Sequence, residues 1–162
     1  MSDPTSKASN PPKTRAASLL PPGLPAPRPS LDGLDAPFWE ATRRHALVAQ
    51  RCRACRTWQW GPEWLCHRCL SFDVGFEPVP GKGRIFSWER VWHPVHPALK
   101  TGLPYVPVIV ELPEAGGIRM LGNLAGDPEA PIVIGAEVEP LFEDHLEGDA
   151  PYTLVQWRRT GR

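Results

Sequence analysis

Cys52-Arg53-Ala54-Cys55, ten further residues, and then Cys66-His67-Arg68-Cys69 constrain this chain more than any other feature. Two Cys-x-x-Cys pairs at that separation bring four thiolates to the corners of a tetrahedron, the arrangement of a closed structural zinc site. Each pair sits at the tip of a tight knuckle turn. The insert from Arg56 to Leu65 is long enough to cross between the knuckles and too short to hold a core, so the segment reads as a zinc ribbon.

Two disulfides are the first rival reading. They require an oxidising compartment and a secretory signal, and none is read here: the apolar pair Leu19-Leu20 is ended at once by Pro21-Pro22. Iron in the same cage, as in a rubredoxin-like electron carrier, is the second rival. Spacing leaves it open, although a small electron carrier has no use for so long a remainder of chain. With every ligand position filled by sulfur, nothing is open to water or substrate. The metal then holds the fold together and does no chemistry.

A chain of 162 residues makes one ordinary domain, or a small domain with an appendage. Its 18 basic and 18 acidic residues balance, so it lacks the positive excess of a general nucleic-acid binder. No apolar run approaches a membrane span, and a reduced cytoplasmic setting suits four free thiolates.

Residues 1–34 carry eight prolines among Ser, Thr, Ala and Lys, and cannot bury enough apolar surface to offset the entropy of ordering. They read as a disordered Pro-rich tail, either dispensable or an arm that wraps a partner. Asp35 then looks like a helix N-cap with Pro37 in the first turn, and the helix runs to about His45. Ala46 to Arg51 reads as a strand entering the first knuckle. Trp58, Trp60 and Trp64 exceed what a small ribbon needs, and with Phe38 and Trp39 they are candidates for a partner interface or for shielding the junction with the next domain.

From Phe72 onward, short strands alternate with turn residues. The segments are 72–79, 84–93, 105–112, 118–124, 137–143 and 152–158, with Glu114-Ala115-Gly116-Gly117 as a hairpin turn. Pro107 marks an edge or the beginning of a strand. Short strands without a helical period after a ribbon predict a mainly β protein: helix and ribbon over 35–71, and a five-stranded OB-fold barrel over 72–162.

This order of features resembles the OB-fold proteins with an N-terminal rubredoxin-like zinc ribbon, once catalogued as domain of unknown function 35. The resemblance rests on Pro37-Phe38-Trp39, the run Leu47 to Cys52, the two cysteine pairs, Gly81-Lys82-Gly83, Pro104-Tyr105 with Val108 to Leu112, and Ile134-Gly135 before Val138. The chain departs from it at Arg56, where the family usually has glycine, and at His67, where it has proline. A positive φ at Arg56 costs about 1 kcal/mol. The resemblance implies a non-catalytic accessory subunit of a thiolase-fold acyl-CoA enzyme, either a condensing enzyme or an aldolase or lyase that shortens steroid side chains. It also implies that some members associate with hot-dog-fold hydratases. In that reading one structural zinc sits on Cys52, Cys55, Cys66 and Cys69, the barrel helps hold an acyl-CoA, and ribbon and helix face the partner.

The residues themselves show no nucleophile elbow, no phosphate-binding glycine loop and no spare cysteine. Arg90, Trp92, His93, His96, Lys100 and Tyr105 are the candidates for contact with a ligand or partner, because they surround a proline-rich loop and loops carry function. His93 and His96, with Glu89 nearby, are the best acid/base candidates. The alternative function is single-stranded nucleic-acid binding, with Arg84, Trp88, Arg90 and Trp92 alternating onto one face; neutral net charge opposes it.

Overall fold

A computed structural model describes residues 18–25, 33–147 and 151–161. It is mainly β, with one short helix, α1 (Ala36–Thr42), and two sheets. Sheet one holds β1 (Val48–Cys52), β2 (Trp58–Gln59) and β3 (Val74–Pro78) in the order β2-β1-β3. Sheet two holds β4 (Gly83–Trp88), β5 (Pro107–Leu112), β6 (Ile118–Asn123), β7 (Glu137–His145) and β8 (Tyr152–Arg159) in the order β6-β5-β4-β7-β8.

The second sheet closes on itself. Leu124 and Trp157 form a parallel bridge at the β6–β8 seam, and the Ala125 amide donates to the Trp157 carbonyl at 2.7 Å. Five strands joined in this way make the OB barrel expected from the sequence. Alternation explains its core. Val108, Val110 and Leu112 of β5 point inward, against Ile85, Met120, Val138 and Trp157 from the other strands. Full burial of such side chains stabilises the fold by about 1.5–3 kcal/mol each. Pro107 opens β5, where a missing amide is harmless. At the hairpin into β6, Gly116 and Gly117 take φ of 69° and 78°, which only glycine adopts without strain.

Three features differ from the sequence reading. The segment over 72–79 is not a barrel strand: β3 pairs along its whole length with β1, from Val48 opposite Pro78 to Cys52 opposite Val74. The alternation of a short strand carries no label for which sheet it joins. The helix ends at Thr42 and not near His45, because His45 takes a positive φ of 56° and turns the chain toward β1. Asp35 does not cap the helix with its side chain; its carboxylate accepts from Trp39 Nε1 at 2.7 Å.

The expected disordered tail lies outside the described residues for 1–17 and 26–32. Residues 18–25 are described, and they lie against the barrel. Ser18 Oγ donates to Glu143 Oε1 at 2.7 Å, and the Pro21 ring packs on Gly102. Helix, ribbon and barrel share one hydrophobic cluster, with Phe38, Leu47, Ala49 and Val79 continuing the barrel core.

Candidate metal centre and its surroundings

The four cysteines meet because two knuckles repeat one local geometry. In the first, the Arg56 amide donates to the Cys52 carbonyl at 2.9 Å and the Cys52 amide to the Thr57 carbonyl at 2.9 Å. In the second, Leu70 and Ser71 stand in the same relation to Cys66, at the same 2.9 Å distances. Arg56 (φ 63°) and Leu70 (φ 60°) both adopt the left-handed conformation that a knuckle demands. Arg56 tolerates it with help from its own contacts: its carbonyl accepts from Arg51 Nε at 2.9 Å, and its guanidinium pairs with Glu77 at 2.8 Å. Leu70 is a second strained position that nothing in the cysteine spacing announced.

All four sulfurs lie within 4.8 Å of one another, and the Cys52–Cys69 and Cys55–Cys66 pairs are 3.6 Å apart. A tetrahedral metal with bonds of about 2.3 Å needs sulfurs about 3.8 Å apart, whereas a disulfide needs about 2 Å. The residues therefore fit a four-thiolate metal cage. Backbone amides point at the sulfurs as well, from Cys55 to Cys52 Sγ and from Arg68 to Cys66 Sγ, each at 3.4 Å.

Electrostatics point the same way. Hydrogen bonds from Thr57 lower the Cys55 thiol to about 6. The Ser71 amide pulls Cys69 down, but its contact with Cys55, desolvation and the other two sulfurs outweigh that and push it up to about 12. Sulfurs this crowded resist ionising together, and a divalent cation between them removes the conflict.

Sequence reasoning missed the polar support beneath this cage. Gln50 and Gln59 face each other across β1 and β2, both buried, with Gln59 Nε2 2.5 Å from Gln50 Oε1. Gln50 also accepts from the Glu63 amide at 2.9 Å and donates to the Glu63 carbonyl at 2.8 Å. Gln59 accepts from the His67 amide at 3.3 Å, so the departure from proline at position 67 supplies a donor that this pair uses.

The expected interface residues divide into two groups. Phe38 is buried, with its ring 4.8 Å from that of Trp60 in an edge contact. Trp39, Trp58 and Trp60 are half-buried against the core, and Arg51 lies over the Trp58 ring at 4.6 Å. These side chains shield the junction. Trp64 alone of the set is exposed, at 72%, and with Phe72 it lines an open groove of about 530 Å³. Leu34, Pro37, Val74 and Phe76 line that groove.

The loop candidates differ in what they contact. Arg90 donates to the carbonyls of Pro128 at 2.7 Å and Ala130 at 3.0 Å, so it ties two loops together. His96 Nδ1 accepts from the Ala98 amide at 3.2 Å and starts the 3₁₀ turn Pro97–Thr101, in which Lys100 is exposed. Trp92 and His93 are exposed, and Tyr105 pairs through its backbone with Val91. Among the described residues no hydrogen bond joins any two of these side chains. Nor do Arg84, Trp88, Arg90 and Trp92 form one basic stripe, since a bulge at Phe86 breaks the alternation of β4.

Residues 39–75 match the family described as ChsH2, rubredoxin-like zinc ribbon domain, and residues 76–143 match ChsH2, C-terminal OB-fold domain. The chain is 38% identical over 148 residues to a "Probable enoyl-CoA hydratase alpha subunit" of Thermomonospora curvata, a match covering 91% of this chain and 44% of that protein. It is 31% identical over 133 residues to a "3-oxo-4,17-pregnadiene-20-carboxyl-CoA hydratase alpha subunit" of Mycobacterium tuberculosis, covering 80% of this chain and 39% of that protein. The chain thus spans less than half the length of these curated relatives.

A solved structure described as "Ltp2-ChsH2(DUF35) aldolase" contains a chain that superposes with a TM-score of 0.68 at 36% identity, covering 82% of this chain and 98% of that one. A DUF35 protein of unknown function from Sulfolobus solfataricus shares the fold at a TM-score of 0.57 and 11% identity, covering 80% and 87%. With both domain matches in register and nearly all of a solved relative covered, this chain belongs to the ChsH2-type DUF35 family of OB-fold proteins with a rubredoxin-like zinc ribbon.

Proposed function

We propose that this protein is a non-catalytic accessory subunit of an acyl-CoA enzyme, docking through its ribbon onto a thiolase-fold partner and helping to hold the thioester. The observation that carries this reading is the match to 98% of a chain in the ChsH2-containing aldolase, at 36% identity. The hydratase names of the longer relatives support the same substrate class, an acyl-CoA thioester. The exposed Trp64, Leu70 and Phe72 supply apolar surface of the kind that interfaces bury. Trp92, His93 and Lys100 are exposed, and with His96 and Tyr105 they are the groups proposed to meet the ligand. Arg90 serves that loop by fixing it.

One zinc ion per chain completes the proposal. Four thiolates suit zinc's tetrahedral preference and leave no open coordination position, so the ion stabilises the ribbon and takes no part in turnover. Zinc protein is colourless, and iron in this cage would absorb visible light.

The test is co-expression with a thiolase-fold protein from the same source. The expected result is a stable heteromeric complex that cleaves or condenses an acyl-CoA, while the isolated chain turns nothing over. Full activity of the isolated chain, or no complex at micromolar concentration, would overturn the reading.

A further inference from the structure

Glu143 is buried at 2% exposure, and three side chains converge on its carboxylate. Gln156 Nε2 donates to Oε2 at 2.8 Å, His145 Nε2 lies 2.8 Å from Oε1, and Ser18 Oγ donates to Oε1 at 2.7 Å. The Ser18 hydroxyl also lies 3.0 Å from the Leu20 carbonyl, so its one proton is shared between two acceptors. The neighbouring Tyr152 phenol is pushed up, first by burial and then by the Glu143 charge. Ser18 itself is an exposed residue, and its hydroxyl latches onto an internal carboxylate.

What the latch holds is the segment 18–25. Gly102 has no side chain where Pro21 crosses it; a Cβ there would stand 2.4 Å from Pro21 Cδ. Gly23, at φ +96°, lies 3.5 Å from Ala98 Cβ at the position a Cβ would take. The strap therefore runs from the end of β7 to the 3₁₀ turn that carries His96 and Lys100. In sequence, Arg15 stands three residues before Ser18, Lys13 five before, and apolar Leu19 directly after. Basic side chains at such spacings ahead of a serine are the charge pattern that acid-lined kinase clefts select.

We infer that Ser18 is a phosphorylation site for an ATP-dependent serine kinase that reads the preceding basic residues, and that its modification releases residues 18–25 from the barrel. In the transfer, the kinase's base takes the hydroxyl proton and Ser18 Oγ bonds to the γ-phosphorus of ATP. The bond from that phosphorus to the bridging oxygen breaks, and ADP leaves with that oxygen. The product lacks the proton that Glu143 accepted and carries a charge of about −1.5 to −2 beside a buried carboxylate. Like charges at hydrogen-bond distance in a partly dry site repel, and the strap is the part free to move.

The full chain, metal bound, is incubated with ATP and the catalytic subunit of a basophilic serine kinase. Peptide mapping locates the phosphate, and hydrogen exchange is followed at Ala98, Leu99 and Gly102. The expected result is phosphate on Ser18, absent in Ser18→Ala, with exchange at those amides at least tenfold faster and Val108 and Val110 of β5 unchanged. In Glu143→Gln, which lacks the repelling charge, phosphorylation accelerates exchange less. No phosphate on Ser18, phosphate without faster exchange, or equal acceleration in Glu143→Gln would each overturn the proposal. Should Glu143→Gln fail to fold, the first two outcomes still decide it.

Discussion

Gln50 on β1 and Gln59 on β2 stand directly opposite each other and share a buried hydrogen bond of 2.5 Å, immediately beneath the cysteine cage. Through Gln50 the pair fixes both backbone groups of Glu63, and through Gln59 it reaches the Leu65 carbonyl and the His67 amide. The second knuckle is thus positioned by amide side chains and not by a strand of its own. Replacing Gln50 with Leu leaves the Glu63 groups and Gln59 short of partners inside the fold. We expect a loss of about 2–3 kcal/mol, measured by chemical denaturation. The Gln50→Leu/Gln59→Leu double variant loses less than the sum of the single ones, because the two share one network.

Removing the metal should unfold the ribbon before the barrel. The three-stranded sheet is small and borders the cage, whereas the five-stranded barrel supplies most of the shared core, Trp157 included. A strong chelator, or Cys66→Ser, is expected to speed hydrogen exchange over 48–78 and leave β5 protected. Re-addition of zinc to the chelated protein restores protection and releases protons, since the thiols must ionise to bind it. Uniform exchange across both sheets would show that the two unfold as one.

Glu77 links stability to pH. Its carboxyl is held below the ordinary value, first by the Arg51 hydrogen bond and then by Arg56, against the effect of desolvation. A folded value below the unfolded one adds stability above the unfolded pKa of about 4.3, and that stability is lost as pH falls through the folded value. Glu77→Gln is expected to lower the melting temperature at neutral pH, with the difference shrinking as the pH is brought below about 4. A constant difference across the acid range would contradict the ion pairing.

At the barrel seam, Gly122 carries the indole of Trp157. A Cβ at position 122 would stand 2.7 Å from Trp157 Cδ1 and 2.8 Å from the Val155 carbonyl oxygen. Neither a fully buried indole nor a strand carbonyl can easily retreat. Gly122→Ala should destabilise by about 1–3 kcal/mol in urea unfolding and loosen the Ala125–Trp157 bridge, seen as faster exchange of the Ala125 amide.

The tryptophans should separate by role. Trp60→Ala opens a hole beside Phe38 and is expected to lower stability by about 3 kcal/mol, because the indole packs on the shared core. Trp64→Ala should change stability by no more than about 0.5 kcal/mol, given its exposure of 72%. If the ribbon docks on a partner, Trp64→Ala weakens that complex about tenfold or more in calorimetric titration.

Much of this protein was written in local pattern. Two cysteine pairs ten residues apart leave few geometries open, and the period-two runs ending at Leu112 and Leu124 mark inward faces without reference to the rest of the chain. The ribbon, the barrel strands and the hairpin at Gly116-Gly117 followed from such signals. Tertiary structure decided whatever depended on which neighbour a residue meets. β3 joined β1 because pairing is a property of two strands, and the alternation of one is silent about its partner. Trp60 turned inward and Trp64 outward, although both lie in the same short insert, because only the packed helix supplies a ring for one of them. Arg90 became a loop brace, and Ser18 found a buried carboxylate 125 residues away, because hydrogen bonds form between atoms brought close in space, whatever their separation along the chain.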